Sequence, residues 1–171
     1  LYPSTMITLN LSPETKFGEI KYTDDENVYV KSINNEDFKF TKENFVKWIK
    51  ENKIAVTRAK KLFYQEPKGI FPSISEHFYK IRREKKDLMI RLKKELTDLK
   101  NKVGDVADPK EKEAINKRIE ELPTKINQAK IYQLTLKILI NRIYGYFGNK
   151  HSQMGDADIA RSITLTGQDV I

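Results

Sequence analysis

The sequence predicts an α+β protein into which a long antiparallel helical hairpin is inserted. Three observations carry this. Residues 1–71 mix short β-prone runs with one short amphipathic helix. From about residue 72 to 149 the apolar residues switch to a helical period, broken at Gly104. Residues 150–171 then pass through a polar loop into one further helical stretch.

Each element follows from local chemistry. MITLNL, residues 6–11, alternates like a strand, and SPETKFG reads as turn material. NVYVKSI and DFKF are short β-prone runs. TKENFVKWIKEN is an amphipathic helix capped by Thr41, with Phe45 and Trp48 on one face. IAVTRAKKLFYQ, then EPKG, then IF reads as a hairpin, with Pro67 and Gly69 supplying the turn. Ser73-Ile74-Ser75-Glu76 has the form of a capping box. Phe78, Ile81, Leu88, Leu92, Leu96 and Leu99 then recur at helical spacing. The spacing predicts a helix over 74–102, about 40 Å long at 1.5 Å per residue. Gly104 stops it, and Asp108-Pro109 starts another, with Asp as cap and Pro at the first helical position. Pro123 is expected to break or kink this helix, leaving a second long leg over about 124–147 through Ile126, Ala129, Leu134, Ile138 and Ile143. Two such legs joined by a short loop form an antiparallel hairpin. Asp156 or Asp158 is expected to cap the last helix, IARSITLTGQDVI.

Composition narrows the function. The chain is 39% hydrophobic and 33% charged, and no run of 18 apolar residues exists to span a membrane. The absence of cysteine removes disulfides and thiolate metal sites. No secretory signal pattern stands at the start, so the expected setting is cytoplasmic. LYPSTM has no initiator methionine, and the end stops within a helical pattern, so a piece of a longer protein is expected. The net charge of +8 is unevenly spread. Residues 76–150 hold 19 Lys+Arg against 11 Asp+Glu, while the remainder balances 13 against 13. Clustered positive charge suits a polyanionic partner. The plainer alternative is a solvated Lys-rich helical face.

KILINRIYGYFGN, residues 137–149, carries a second signal. Lys137, Asn141, Tyr144 and Gly148 fall at i, i+4, i+7 and i+11, one stripe of a helix. Antiparallel legs bring this stripe toward the start of the first leg, where Arg82 and Lys86 stand at i and i+4. A guanidinium fork and two ammonium groups suit a triphosphate. Tyr144 offers a ring to a base, and Gly145 and Gly148 allow close approach of a strand or base pair. Taken singly, the cations read as surface charges, Tyr144 as packing and the glycines as a helix ending.

LYPS at 1–4, R-x-x-x-K at 82–86 and K-x-x-x-N-x-x-Y-G at 137–145 together resemble the family B DNA polymerases. Within that family the resemblance is to the T-even-type bacteriophage replicative polymerases. There a segment like NLSPET follows LYPS, the nucleotide-binding helix reads much like KILINRIYGYFGN, and the tail is similar to ARSITLTGQ. The resemblance implies a palm fragment over 1–71, a fingers hairpin over 72–149 and a return to the palm over 150–171. It implies a DNA-directed DNA polymerase, a nucleotidyltransferase, of which this chain is an incomplete part, inactive alone. Arg82, Lys86 and Lys137 would hold the incoming triphosphate, with Asn141 near the same nucleotide. The backbone N–H groups of Leu1 and Tyr2 would face the phosphates. The Tyr2 ring would lie under the sugar and exclude a ribose 2′-hydroxyl by shape. Tyr144, Gly145 and Gly148 would meet the nascent base pair and template. Two Mg2+ ions are implied, held mostly by aspartates before Leu1 and after Ile171. Implied partners are primer–template DNA, a deoxynucleoside triphosphate, the rest of the polymerase chain, and a sliding clamp with other replication proteins. Asp156-Ala157-Asp158 has the D-x-D form but reads better as polar loop and helix cap. Arg142 departs from the family, which commonly has a small serine there. The alternative is a non-catalytic module, either a basic hairpin that binds nucleic acid or a coiled-coil interaction element.

Overall fold

The structure is a computed structural model that describes residues 2–149, 151–152 and 155–168. The elements in chain order are α1 (Tyr2–Thr8), a 3-10 turn (Pro13–Thr15), β1 (Lys16–Thr23), β2 (Asn27–Ser32), β3 (Asp37–Thr41), α2 (Lys42–Glu51), β4 (Ile54–Val56), β5 (Lys61–Tyr64), α3 (Ile70–Lys102), α4 (Pro109–Gly148) and α5 (Ala157–Gln168). This is a mixed architecture of helices and an antiparallel sheet, as the α+β expectation requires. The chain forms two compact units, residues 1–76 with 140–171, and residues 77–139.

In the first unit the sheet order is β3-β2-β1-β5-β4. Every neighbouring pair is antiparallel. Period-two alternation splits β5 between two cores, because successive side chains leave opposite faces. Leu62 joins Val28, Val30, Phe45 and Ile54 on one side. Phe63 joins Met6, Leu11, Phe147, Ile159 and Ile163 on the other. Helix α2 covers the first face. Its Trp48 ring lies 4.9 Å from Phe40 and 5.1 Å from Phe17. Thr41 caps α2 as expected, its hydroxyl accepting from the Asn44 N–H at 3.2 Å. The second core gathers α1, α5 and the end of α4.

Four expectations about elements are corrected. MITLNL belongs to helix α1 and the turn after it, not to a strand. Pro3 fits the first helical turn, and Pro3 and Met6, three apart, are both buried. Asn10, at φ 51, then turns the chain. KFG is not turn but the start of β1, a central strand. Its alternation is masked by Lys16, Glu19 and Lys21, and by Gly18, which close packing demands. A Cβ at Gly18 would sit 2.1 Å from the Lys31 carbonyl oxygen. The β4–β5 hairpin turns at residues 57–60, not at Pro67-Gly69. Lys60 takes φ 58, and the Thr57 hydroxyl accepts from the Lys61 N–H at 3.1 Å.

The fourth correction concerns the long helices. α3 starts at Ile70, so Ser73 lies inside its first turn and donates to the Gly69 carbonyl at 2.8 Å. The start is satisfied from a distant segment instead. Asn10 Oδ1 accepts from the Gly69 N–H at 2.8 Å, and Glu14 Oε1 accepts from the Ile70 N–H at 2.6 Å. Partial burial opposes the Glu14 charge, but the Ile70 N–H and the Ser12 hydroxyl outweigh it and hold the carboxyl below its usual range. α4 runs unbroken through Pro123 for 40 residues. Fully buried Leu122, with Ile115 and Ala129 on the same face, holds the helix across the missing N–H.

The second unit is the hairpin proper. Contacts along it run antiparallel: Lys102 to Glu111 at 2.9 Å, Arg118 to Glu95 at 2.7 Å, and Lys85 Nζ 5.2 Å over the Tyr132 ring. Its buried seam includes Leu92, Ile115, Leu122, Ala129 and Leu136.

Candidate functional site

The anion-binding candidates lie in the second unit. One face of α3 forms an open groove of about 300 Å³, lined by Tyr79, Arg82, Arg83, Lys86 and Asp87. These positions recur at three and four, so the helix places three cations on one strip. Arg82 is half-buried, and its Nε is buried with no hydrogen-bond partner. A buried donor of this kind is costly unless something accepts from it. Among the described residues neither Arg82 nor Lys86 forms an ion pair, in contrast to Arg118 and Lys125 further along the hairpin. Lys137 is exposed on α4 and is not among the residues lining this groove. With Lys85 over Tyr132, the antiparallel register sets Lys137 about level with Lys80. The structure therefore joins Arg82 to Lys86 and leaves Lys137 on the neighbouring helix.

The aromatic candidates lie in the first unit. The rings of Tyr2 and Tyr144 stack, with centroids 4.5 Å apart and planes at 20°. The resemblance gave these residues separate roles, and nothing in the sequence announces their contact. Tyr144 packs against the core of Met6, Phe147 and Ile163, so its ring serves burial as well as display. Its hydroxyl lies 2.8 Å from Thr164 Oγ1. Tyr2 remains 39% exposed. Asn141 and Arg142 are exposed on α4. Gly145 and Gly148 are exposed too, and a Cβ added at either meets no atom within 4 Å. Packing among the described residues thus does not require glycine at these positions. Leu1 lies outside the described residues.

Asp156 and Asp158 are occupied by the fold. Asp156 Oδ1 accepts from the N–H groups of Asp158 at 2.9 Å and Ile159 at 3.2 Å, capping α5. Lys16 Nζ lies 2.6 Å from Asp158 Oδ2 and 3.4 Å from Asp156 Oδ2, and Lys61 Nζ lies 3.0 Å from Asp158 Oδ1. Lys61 also pairs with Glu19. Burial opposes the Asp158 charge, but Lys16 and Lys61 hold its carboxyl below the usual range. Burial likewise opposes the Lys61 charge, and Glu19 and Asp158 raise it above the ordinary lysine value. Among the described residues no three His, Asp or Glu side chains gather to hold a metal ion. Asp156 and Asp158, engaged by the cap and by Lys16 and Lys61, therefore do not fit the pair of magnesium ions that phosphoryl transfer uses. The pairing of Lys16 and Lys61 with Asp158 was not read from the sequence, since 142 and 97 residues separate the partners.

The description "DNA polymerase family B" fits residues 110–171, by match to that family's model. The matched segment contains α4, with K-x-x-x-N-x-x-Y-G, and α5; Tyr2, Arg82 and Lys86 lie outside it. No curated protein matches. Among solved structures, the family B DNA polymerase from the hyperthermophilic archaeon Pyrobaculum calidifontis is similar at 17% identity and a TM-score of 0.48. That similarity covers 99% of this chain and 15% of the archaeal chain. The family-model match names family B in general and not one phage group. Among the described residues no helix is long and apolar enough to cross a membrane.

Proposed function

We propose that this chain is part of a family B DNA-directed DNA polymerase, and that it binds the incoming deoxynucleoside triphosphate and the nascent base pair. The observation that carries the reading is the family match over 110–171, on the same helix that bears Lys137, Asn141, Tyr144 and Gly145. Two further facts support it. Arg82 and Lys86 share a groove and form no ion pair among the described residues, and Arg82 keeps a buried, unsatisfied donor. Gly145 and Gly148 lack side chains where the fold leaves room for them.

In this reading 1–71 and 150–171 belong to the palm and 72–149 to the fingers. Arg82 and Lys86 grip the triphosphate from α3, and Lys137 from α4. The guanidinium fork and the ammonium groups offset charge on the phosphoryl oxygens, the main protein contribution to such a transfer. Asn141 lies beside the same nucleotide. Tyr2 bars a 2′-hydroxyl, and the backbone at Leu1 and Tyr2 faces the phosphates. Tyr144, Gly145 and Gly148 meet the base pair. Magnesium ions, when bound, would stabilise the attacking and leaving oxygens, with ligands mostly outside this chain. Primer–template DNA and the remaining polymerase chain are the required partners. T-even-type phage origin, a sliding clamp and a cytoplasmic setting belong to the same proposal.

The test is Lys137→Ala in the complete polymerase. Loss of one charge-assisted contact of about 1.5–3 kcal/mol should lower kcat/KM for nucleotides roughly 10- to 100-fold, with the circular dichroism spectrum unchanged. Unaltered nucleotide kinetics would remove Lys137 from the site. A second reading, a non-catalytic interaction module, draws on Ile131, Tyr132, Ile138 and Leu139, which are all 40% or more exposed on α4. It predicts indifference to Lys137→Ala and concentration-dependent association instead.

A further inference from the structure

We infer that Thr164 is a positioning residue for sugar selection, acting on Tyr2 through Tyr144; this rests on the polymerase reading above. Thr164 Oγ1 lies 2.9 Å from the Ala160 carbonyl oxygen, one helical turn back on α5, and donates its proton there. Its lone pair therefore faces Tyr144, whose hydroxyl lies 2.8 Å away and donates. The direction of this chain is set by the backbone of α5, because the first acceptor is a carbonyl held by the helix. Tyr144 is thus fixed at its hydroxyl by α5 and along its body by the core. The Tyr2 ring lies on the Tyr144 ring at 4.5 Å.

Tyr2 itself has no comparable anchor. It sits in the first turn of α1, and its hydroxyl forms no hydrogen bond among the described residues. The Tyr144 ring is what defines the plane of the Tyr2 ring on one side. Shape exclusion is sensitive to such a plane, since a gate that tilts by a fraction of an ångström opens room for one hydroxyl group. A hydroxyl on α5 that touches neither sugar nor base thereby governs which sugar is accepted. Thr164 lies 162 residues from Tyr2 in the chain, and no motif links them.

The experiment is the ratio of kcat/KM for deoxy- over ribonucleoside triphosphates in the complete polymerase. The variants are Tyr2→Ala, Thr164→Val, Thr164→Ser, Tyr144→Phe and the double Thr164→Val/Tyr144→Phe. Valine keeps the shape of threonine and removes the hydroxyl. Thr164→Val should lower the ratio about three- to tenfold, the scale of one hydrogen bond. Thr164→Ser should restore it. Tyr144→Phe breaks the same bond from its other end, so the double variant should fall no further than either single one. Should Thr164→Val lose its far-ultraviolet circular dichroism, Tyr144→Phe makes the same test. A collapsed ratio in Tyr2→Ala beside an unchanged ratio in Thr164→Val and Tyr144→Phe overturns the positioning role and leaves the gate standing. An unchanged ratio in Tyr2→Ala overturns the gate, and the role of Thr164 with it. A fall in kcat with the ratio preserved in Thr164→Val marks Thr164 as merely structural and also overturns the inference.

Discussion

Gly145→Ala separates a functional glycine from a structural one by moving stability and activity in opposite directions. Gly145 is in the last turn of α4, where a glycine weakens the helix relative to alanine. The full interior difference is about 1 kcal/mol, and near a helix end about half of that is a fair expectation. Nothing offsets this gain, because the new Cβ would meet no atom within 4 Å. The backbone at Gly145 does not need a positive φ, so alanine fits without strain. The variant should therefore be more stable by about 0.5–1 kcal/mol, a rise in Tm of about 1–4 °C for a chain of this size. Thermal unfolding followed at 222 nm reads this directly. In the complete polymerase the same methyl group would project where the base pair is proposed to lie. Primer extension should then slow, with the loss in kcat/KM for correct nucleotides on the order of tenfold or more for misplacement by one methyl. A stabilised variant with undiminished extension would refute the reasoning, because the glycine would then serve neither the fold nor the ligand. A destabilised variant would refute the structural half of it.

Two further predictions concern the fold that carries the site. Gly18→Ala should destabilise by about 1–3 kcal/mol or more, since its Cβ would meet the backbone oxygen of Lys31 at 2.1 Å and β1 and β2 would have to part; urea unfolding checks this. Asp158→Asn removes the shared partner of Lys16 and Lys61, and at one-third exposure solvent screening limits the loss to about 1 kcal/mol. The native Asp158 carboxyl titrates below its unfolded value of 3.8, so this stabilisation is fully present above pH 3.8 and fades as pH falls through the lower native value. The stability gap between the two proteins should accordingly be constant from pH 5 to 8 and close only below about pH 4. A gap that widens on acidification would contradict the assignment.

Much of the fold was legible where one physical signal dominated. The α2 helix has a cap, an amphipathic face and no competitor, and it forms as expected from Thr41 onward. The hairpin legs announce themselves by period and by Gly104. The errors fall where distant groups decide. Ser73 has the sequence of a cap, but Asn10 and Glu14, about 60 residues away, satisfy the helix start four residues earlier. MITLNL alternates over six residues, yet α5 offers its apolar face to a helix and takes Met6 into the core. Pro123 should have broken α4, but burial of Leu122 outweighs one lost hydrogen bond. At the site, the i and i+4 pairing of Arg82 with Lys86 is a property of any helix and was readable. The Tyr2–Tyr144 stack depends on tertiary contact and was not.

The distribution of acids along the hairpin discriminates between a solvated face and an anion-binding one. A helix that merely faces water alternates its charges, because i,i+4 pairs of opposite sign stabilise it. The outer hairpin does this. Glu95, Glu111 and Glu121 alternate with Arg118, Lys102 and Lys125, and each is drawn into a pair with one of them. From residue 126 to 155 the pattern stops: Lys130, Lys137, Arg142 and Lys150 occur without one Asp or Glu. Among the described residues Lys130, Lys137 and Arg142 form no ion pair. Solvation alone gives no reason for acids to vanish from one end of a helix and persist at the other. Repulsion of a negatively charged ligand does give one, since each carboxylate near a triphosphate or a template strand weakens binding as surely as a lysine strengthens it. The acid-free stretch coincides with the segment that carries Lys137, Asn141, Tyr144 and Gly145. In the polymerase reading proposed above, the positive charge there is one half of an interaction whose other half is a polyanion.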